Sequence, residues 1–241
     1  MNIIITAGGT SEKIDNVRKI TNSGSGKLGF IIANKLIDLY NEKINTIYYV
    51  CSKSSFKPVH KKIKIIEITD TKNLEMTIIS LLKGKKQDYF IHTMAVSDYT
   101  VDYVTTAEKL TDSIKENSDI LNSIVNYDKG IKDTKISSNE DNLIIKLKRT
   151  PKIISIIKSI SPSTFLVGFK LLDNVSREKL LDTAIKLRDK NKCDLVVAND
   201  LNTIRNGGAH QAYIIRSDNS YLVALSKDDI AEKIIEEMHI D

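Results

Sequence analysis

The stretch NIIITAGGT at residues 2–10, taken with NSGSGKLG at residues 22–29, decides the fold. Ile3, Ile4 and Ile5 are consecutive β-branched residues, as expected of a strand covered by helices on both faces. The strand runs straight into Gly8 and Gly9, where backbone N–H groups can approach a ligand. The second cluster, Gly24, Gly26 and Gly29, opens an amphipathic helix whose N-terminal dipole and free amides favour phosphate. Two Gly-rich turns therefore flank one pocket, at the sheet edge where α/β proteins bind nucleotides. A pair of tight turns with no ligand is the plainer alternative.

Outward from this unit, β-rich runs alternate with helical stretches. Strands are expected at 2–6, 46–51, 63–68, 88–93, 164–169 and 194–198, and helices at 25–40, 71–83, 151–160, 175–191 and 227–238. The alternation predicts an α/β, Rossmann-like, mainly parallel sheet with helices on both faces. Ser226 and Asp229 form a capping box for the last helix, and Pro151 suits the first turn of its own. Two segments depart from the pattern. Residues 99–134 carry a capping box at Thr105 and Glu108 and a helical period, followed by KISS, a turn at NEDN and a strand at 143–148. They read as an inserted arm spanning 99–150. Residues 211–216 and 221–225 read as a C-terminal β-hairpin.

Composition bounds the rest. Ten glycines and three prolines in 241 residues leave no room for a linker, so one domain over 1–241 is expected. No apolar run approaches the ~18 residues that span a bilayer, and the N-terminus lacks a signal peptide's basic region, so no membrane partner and a cytoplasmic location are expected. The net charge is +5, but the lysines are scattered among acids, which does not demand nucleic acid. Cys51 and Cys193 sit in apolar runs as small core residues. The four histidines have no metal-ligand spacing, and no metal ligand is assigned.

Neither familiar nucleotide fingerprint fits. Gly24-x-Gly26-x-x-Gly29 matches the dinucleotide motif by letter, yet a loop separates it from the first strand. The second strand ends in Cys51-Ser52-Lys53, not in an acid, so an NADP-dependent reductase survives only through Lys53, with Tyr99 as its candidate proton donor. Thr21 and Leu28 replace residues the Walker pattern requires. Between the glycine clusters, Asp15, Arg18 and Asn22 lie in a polar run that reads equally as a substrate clamp or as a surface loop with an ion pair. Asp98, after the fourth strand, can orient a hydroxyl, bind Mg²⁺ through water, or cap a helix.

TAGGTSEKIDNVRKITNSGSGKLG, MAVSDY, KISS before a strand and TPK, LVGFKLL and VVANDL together resemble phosphopantothenoylcysteine synthetase, in order and over nearly the whole chain. The resemblance implies a ligase of coenzyme A biosynthesis, in a monofunctional form. In it CTP, or ATP, activates the carboxylate of 4'-phosphopantothenate as an acyl nucleotidylate with loss of pyrophosphate, Mg²⁺ assists, and the amine of L-cysteine then attacks. It implies that Asn22 orients the acyl intermediate, that Arg18 reaches phosphopantothenate across a homodimer interface, and that Ala95 and Asp98 touch substrate and nucleotide. Phe169 falls beside base and ribose, Asn199 in the nucleotide pocket, and Gly9, Gly26 and Gly29 on the phosphates. Lys135 of KISS matches the catalytic lysine of a mobile flap, with Lys109 as its rival. Lys186 and Lys190 match phosphate-binding helix lysines, and the arm matches the dimerisation element. Gly24 stands where members commonly carry Ser, which implies a lost hydroxyl contact. A nucleotide-binding regulatory module without chemistry is the remaining alternative.

Overall fold

The computed structural model describes residues 1–116, 119–205 and 210–240. The chain runs through β1 (Asn2–Ala7), β2 (Ser11–Lys13), β3 (Lys19–Thr21), α1 (Lys27–Tyr40), β4 (Thr46–Ser52), β5 (Ile63–Ile68), α2 (Thr71–Gly84) and β6 (Tyr89–His92). It continues through β7 (Tyr99–Thr106), α3 (Ala107–Glu116), α4 (Ile120–Val125), β8 (Leu143–Arg149), α5 (Ile153–Ile160) and β9 (Phe165–Leu172). Next come α6 (Arg177–Asn191), β10 (Leu195–Asp200), α7 (Leu201–Arg205), β11 (Ala212–Ile215), β12 (Tyr221–Ala224) and α8 (Lys227–Glu237).

Eight strands form the central sheet in the order β12-β11-β10-β9-β6-β1-β4-β5. From β5 to β10 every pairing is parallel, and β11 and β12 add the antiparallel hairpin. Strand order reverses between β1 and β6, and such a switch point leaves a crevice beyond the carboxyl ends of the strands. Alternation along β1 divides the core. Ile3, Ile5 and Ala7 pack with Ile32 and Leu36 of α1 and Ile230 and Ile234 of α8. Ile4 packs on the other face with Leu74 and Ile78 of α2, Ile157 of α5 and Ala184 of α6. Each of these fully buried isoleucines and leucines contributes about 2 kcal/mol of transfer free energy, which fixes both helical layers on the strands.

Both cysteines are buried, and desolvation pushes Cys51 up to about 11 and Cys193 up to about 12, so neither is a thiolate at neutral pH. The hairpin and every expected strand of the main sheet form, with edges shifted by a few residues.

Five local readings are corrected. Residues 99–106 are a strand, β7, paired antiparallel with β8 in a separate two-stranded sheet; its aromatic and β-branched residues outweigh the helical period placed there. The hydroxyl at the start of α3 is that of Thr106, which accepts the Lys109 N–H at 3.4 Å, while Thr105 is turned to the Tyr127 hydroxyl at 2.9 Å. Pro151 precedes the N-cap Lys152 rather than entering α5. Residues 11–21 hold the hairpin β2–β3 instead of an open loop. At α8 the box is one residue wider than expected: Ser226 accepts the Asp229 N–H at 3.0 Å, and Asp229 accepts that of Leu225 at 2.8 Å.

Candidate functional site: a cationic cleft at the switch point

The loops after β1 and β6 are tied together before either reaches the cleft. Ala95 N–H donates to Gly8 O at 2.9 Å and Thr10 N–H to Ala95 O at 3.1 Å. Thr10 Oγ1 accepts the Ser97 N–H at 2.9 Å and donates to Ser97 Oγ at 3.0 Å, and Ser97 Oγ donates to Asn22 Oδ1 at 3.4 Å. Asn22 is thereby held by its carbonyl oxygen, and its Nδ2 has no partner among the described residues. The backbone of Asn22 donates to Thr10 O at 3.1 Å, so the approach to α1 belongs to the same assembly.

Gly26 is the N-cap of α1 with φ 72°, a left-handed conformation that glycine adopts without a Cβ penalty. The N-cap Gly26 has no side chain to cap this helix, Ser25 Oγ accepts only the Lys27 N–H at a long 3.4 Å, and among the described residues no acid lies in the first turn, so the following amides and the dipole are left for an anion. A Cβ on Gly24 would stand 2.7 Å from Gly8 O. The glycine at position 24 is therefore a condition of this turn's packing, since any side chain there would press on the Gly8 backbone.

The resulting cleft has a volume of about 470 Å³ and lies between the first turn of α1, the loop 93–98, the start of α5 and the ends of β9 and β10. Gly26, Ala95, Asp98, Phe169 and Asn199 all line it. So do Lys27, Lys152, Lys170 and Lys227, which the sequence reading did not single out. Among the described residues Asp98 is the one acidic group of the lining, and it pairs with Lys152. Four cations around one acid and an uncapped helix N-terminus form a surface suited to several phosphates. Asp98 caps no helix, since β7 follows it. Gly9 is bridged to Ala95 behind the cleft, and Gly29 packs against Ala7 and Thr93.

Arg18 stands apart, on the turn of the β2–β3 hairpin. Its guanidinium donates to Asp15 Oδ2 at 2.7 Å and to Ile136 O at 2.6 Å. Asp15 Oδ1 accepts the N–H groups of Arg18 at 2.6 Å and Val17 at 2.8 Å, and Oδ2 that of Ile136 at 3.2 Å. These donors, the Arg18 backbone foremost, hold the Asp15 carboxyl well below the usual range against the opposing effect of its burial. The ion pair of the surface-loop reading is therefore present, formed within the β2–β3 turn. Lys135 is exposed between Thr134 and Ile136, both bonded to the hairpin, and does not line the cleft. Lys109 is exposed on α3. On α6, Leu187 reaches the cleft, whereas Lys186 is exposed and paired with Asp182 at 2.7 Å, and Lys190 is exposed; neither lysine is in the lining. Lys53 and Tyr99 also lie outside it, so the pair an NADP reductase needs is not assembled here.

Two histidines also line the cleft, and no sequence signal marked them: His92 at the end of β6 and the half-buried His210 before β11. Among the described residues no group of three or more His, Cys, Asp or Glu side chains is arranged to hold a metal ion, and no helix is long and apolar enough to cross a membrane.

Sheet order and cleft define a Rossmann-like α/β protein with a phosphate-compatible cleft at its switch point. The chain belongs to the family described as the DNA/pantothenate metabolism flavoprotein C-terminal domain, whose model matches residues 1–131 and 124–240. It is 32% identical over 236 residues to the Coenzyme A biosynthesis bifunctional protein CoaBC of Thermococcus kodakarensis, covering 98% of this chain and 50% of that protein. The chain thus spans about half the length of the curated relatives it matches. The crystal structure of the DNA/pantothenate metabolism flavoprotein from Streptococcus pneumoniae superposes with a TM-score of 0.85 at 37% identity, over 99% of this chain and 98% of that one. A Cab2 variant in complex with phosphopantothenate-cysteine shares the fold, with a TM-score of 0.70 at 16% identity over 98% of this chain and 86% of its own.

Proposed function

We propose that the chain is a phosphopantothenate–cysteine ligase that works through an acyl nucleotidylate, with CTP as the nucleotide and ATP as the alternative. The observation that carries this reading is the uncapped N-terminus of α1 opening on a cleft lined by four lysines and a single acid. The relatives' names, coenzyme A biosynthesis for CoaBC and phosphopantothenate-cysteine for the Cab2 complex, supply the substrate class.

In this reading the α1 amides with Gly26, together with Lys27, Lys152, Lys170 and Lys227, hold the triphosphate, and Phe169 and Asn199 flank base and ribose. Gly9 and Gly29 shape the phosphate turn from behind. Asn22 presents its free Nδ2 to the acyl intermediate, beside Ala95 and Asp98. Mg²⁺ enters with the nucleotide and neutralises phosphate charge; Asp98 is the one lining carboxylate able to meet it, through water, as suits an ion that keeps most of its hydration. Arg18, anchored by Asp15, reaches phosphopantothenate in a homodimer built on the arm at 99–150. Lys135, on the segment docked to the hairpin, closes over the phosphates as a flap lysine. Lys186 and Lys190 would reach phosphate only through movement of their side chains. A carboxylate resists amines, and the mixed anhydride removes that resistance by supplying a good leaving group; the protein's part is positioning and charge stabilisation. The enzyme acts on small molecules in the cytoplasm, with neither nucleic acid nor membrane as partner.

A nucleotide panel with 4'-phosphopantothenate, Mg²⁺ and cysteine tests it. Pyrophosphate release from CTP that requires phosphopantothenate, followed by cysteine-dependent amide formation, is expected. Release of orthophosphate in place of pyrophosphate overturns the acyl-nucleotidylate route.

A further inference from the structure

His92 ends β6 at the floor of the cleft and is 8% exposed. Its Nδ1 lies 2.8 Å from Thr6 Oγ1. Thr6 is completely buried, and its Oγ1 already accepts the Met94 N–H at 3.3 Å. A buried hydroxyl hydrogen needs an acceptor, and among the described residues Nδ1 is the one within reach. The hydroxyl therefore donates to Nδ1, and the neutral ring carries its proton on Nε2. Phe90 meets the ring nearly edge-on, with centroids 5.8 Å apart, and restrains its plane. Nε2 makes no bond to any other described residue, and the cleft that His92 lines is also lined by the apolar Met94, Val96, Ile153 and Ile154.

We propose that His92 is a neutral hydrogen-bond donor whose Nε2–H engages the acyl oxygen of the activated carboxylate, a role that rests on the ligase reading above. The lysines and the α1 N-terminus draw the phosphates, while the apolar floor suits an uncharged carbonyl. When the amine adds, its lone pair forms the C–N bond and the carbonyl π pair moves onto oxygen, where a preorganised donor stabilises the developing charge. On collapse the acyl C–O bond breaks, both electrons leave with the nucleoside monophosphate, and the amine's proton passes to solvent. His92 keeps its own proton throughout. Burial favours this state by holding the ring down to about 4, and of the charged groups in the same cleft Lys27, Lys152, Lys170 and Lys227 also disfavour a proton on the ring, with Asp98 alone opposing them, so that it is neutral at pH 7. Formation of the anhydride gains nothing from this donor, because the carboxylate oxygen loses charge in that step. The two half-reactions therefore respond differently.

The test uses the full chain. Its ¹⁵N spectrum is expected to show His92 as the neutral Nε2–H tautomer at pH 7. In single turnover with CTP, phosphopantothenate and Mg²⁺, His92→Leu is expected to release pyrophosphate within about threefold of wild type but to form amide on addition of cysteine about 10²-fold more slowly. His92→Gln, which keeps an amide donor at comparable reach, should recover about tenfold of that loss. A protonated or Nδ1–H ring at pH 7, or a Leu variant that forms amide at the wild-type rate, overturns the proposal alone. A wild-type chain that releases no pyrophosphate overturns the ligase reading and this proposal with it.

Discussion

Asp15 Oδ2 and Arg18 Nη2 stand 2.7 Å apart across the β2–β3 turn, with the Asp15 side chain 1% exposed and that of Arg18 41% exposed. The acid is the buried anchor and the arginine the presented group. Because the same carboxylate accepts the Ile136 N–H, one side chain fixes both the hairpin and the segment that carries Lys135.

Asp15→Asn should therefore loosen both at once. A carboxyl held below its usual range contributes stability that is present above the unfolded aspartate range and is lost as pH falls through the folded value. The melting temperatures of wild type and variant are expected to differ most near neutral pH and to converge in acid, below about pH 4. The apparent KM for phosphopantothenate should rise in the variant. Parallel melting curves separated equally at all pH values would show that the charge of Asp15 is unimportant.

Gly24→Ala and Gly24→Ser should be equally harmful, since the offending atom is Cβ, 2.7 Å from Gly8 O. Moving that backbone costs on the order of 1–3 kcal/mol and spreads the phosphate turn. Calorimetric titration with CTP is expected to show about tenfold weaker binding for both. A serine variant that binds better than the alanine one would restore the hydroxyl-contact explanation.

The main sheet was legible because its strands are covered on both faces and thus read as unbroken apolar runs, such as Ile3-Ile4-Ile5 and Leu195-Val196-Val197. β7 was not, because Tyr99–Thr106 sits in a two-stranded sheet with its own polar alternation, and Thr105, Thr106 and Glu108 imitate a capping box one residue early. In the cleft, Gly24 and Gly26 were legible through local spacing. The cleft lysines were not: Lys27, Lys152, Lys170 and Lys227 come from four distant segments that only the switch-point topology brings together. His92 was illegible for a related reason, since its partner Thr6 lies 86 positions away and pairs with it through strand register.

Burial of His92 predicts an acid-sensitive fold. In the unfolded chain the ring takes a proton near pH 6.5, and in the folded chain only near 4. Between those values the unfolded state binds more protons, so stability falls as pH is lowered, by about 3 kcal/mol at most from this group. Urea unfolding of wild type and His92→Gln at pH 7 and pH 4.5 should show the variant losing less. Equal losses would mean that other groups govern the acid limb.

Asn22→Asp should let the acyl nucleotide accumulate. The substitution keeps the shape and the oxygen that accepts from Ser97, but exchanges the free Nδ2 donor for negative charge beside an anionic anhydride. Quenched reactions are expected to contain acyl-CMP with little amide. Amide formation at the wild-type rate would reduce Asn22 to a loop residue.

Lys135 and Lys109 separate the flap assignment most directly. Lys109 is exposed on α3, beside a hollow shared with Glu116 and Lys129, and its backbone merely caps on Thr106. Lys135 lies between two residues bonded to the hairpin that presents Arg18, so any closure of that segment carries its ammonium with it. An ammonium that arrives after the triphosphate excludes water and acts in a lower local dielectric, which favours the transition state over ground-state binding. By analogy with the loss of one preorganised donor, Lys135→Gln is expected to lower turnover about 10²-fold with little change in CTP affinity, and Lys109→Gln to change turnover less than about twofold. Steady-state rates at saturating CTP decide between them: a severe loss in the Lys109 variant beside a mild one at Lys135 reverses the assignment, and mild losses in both remove the flap lysine from this segment altogether.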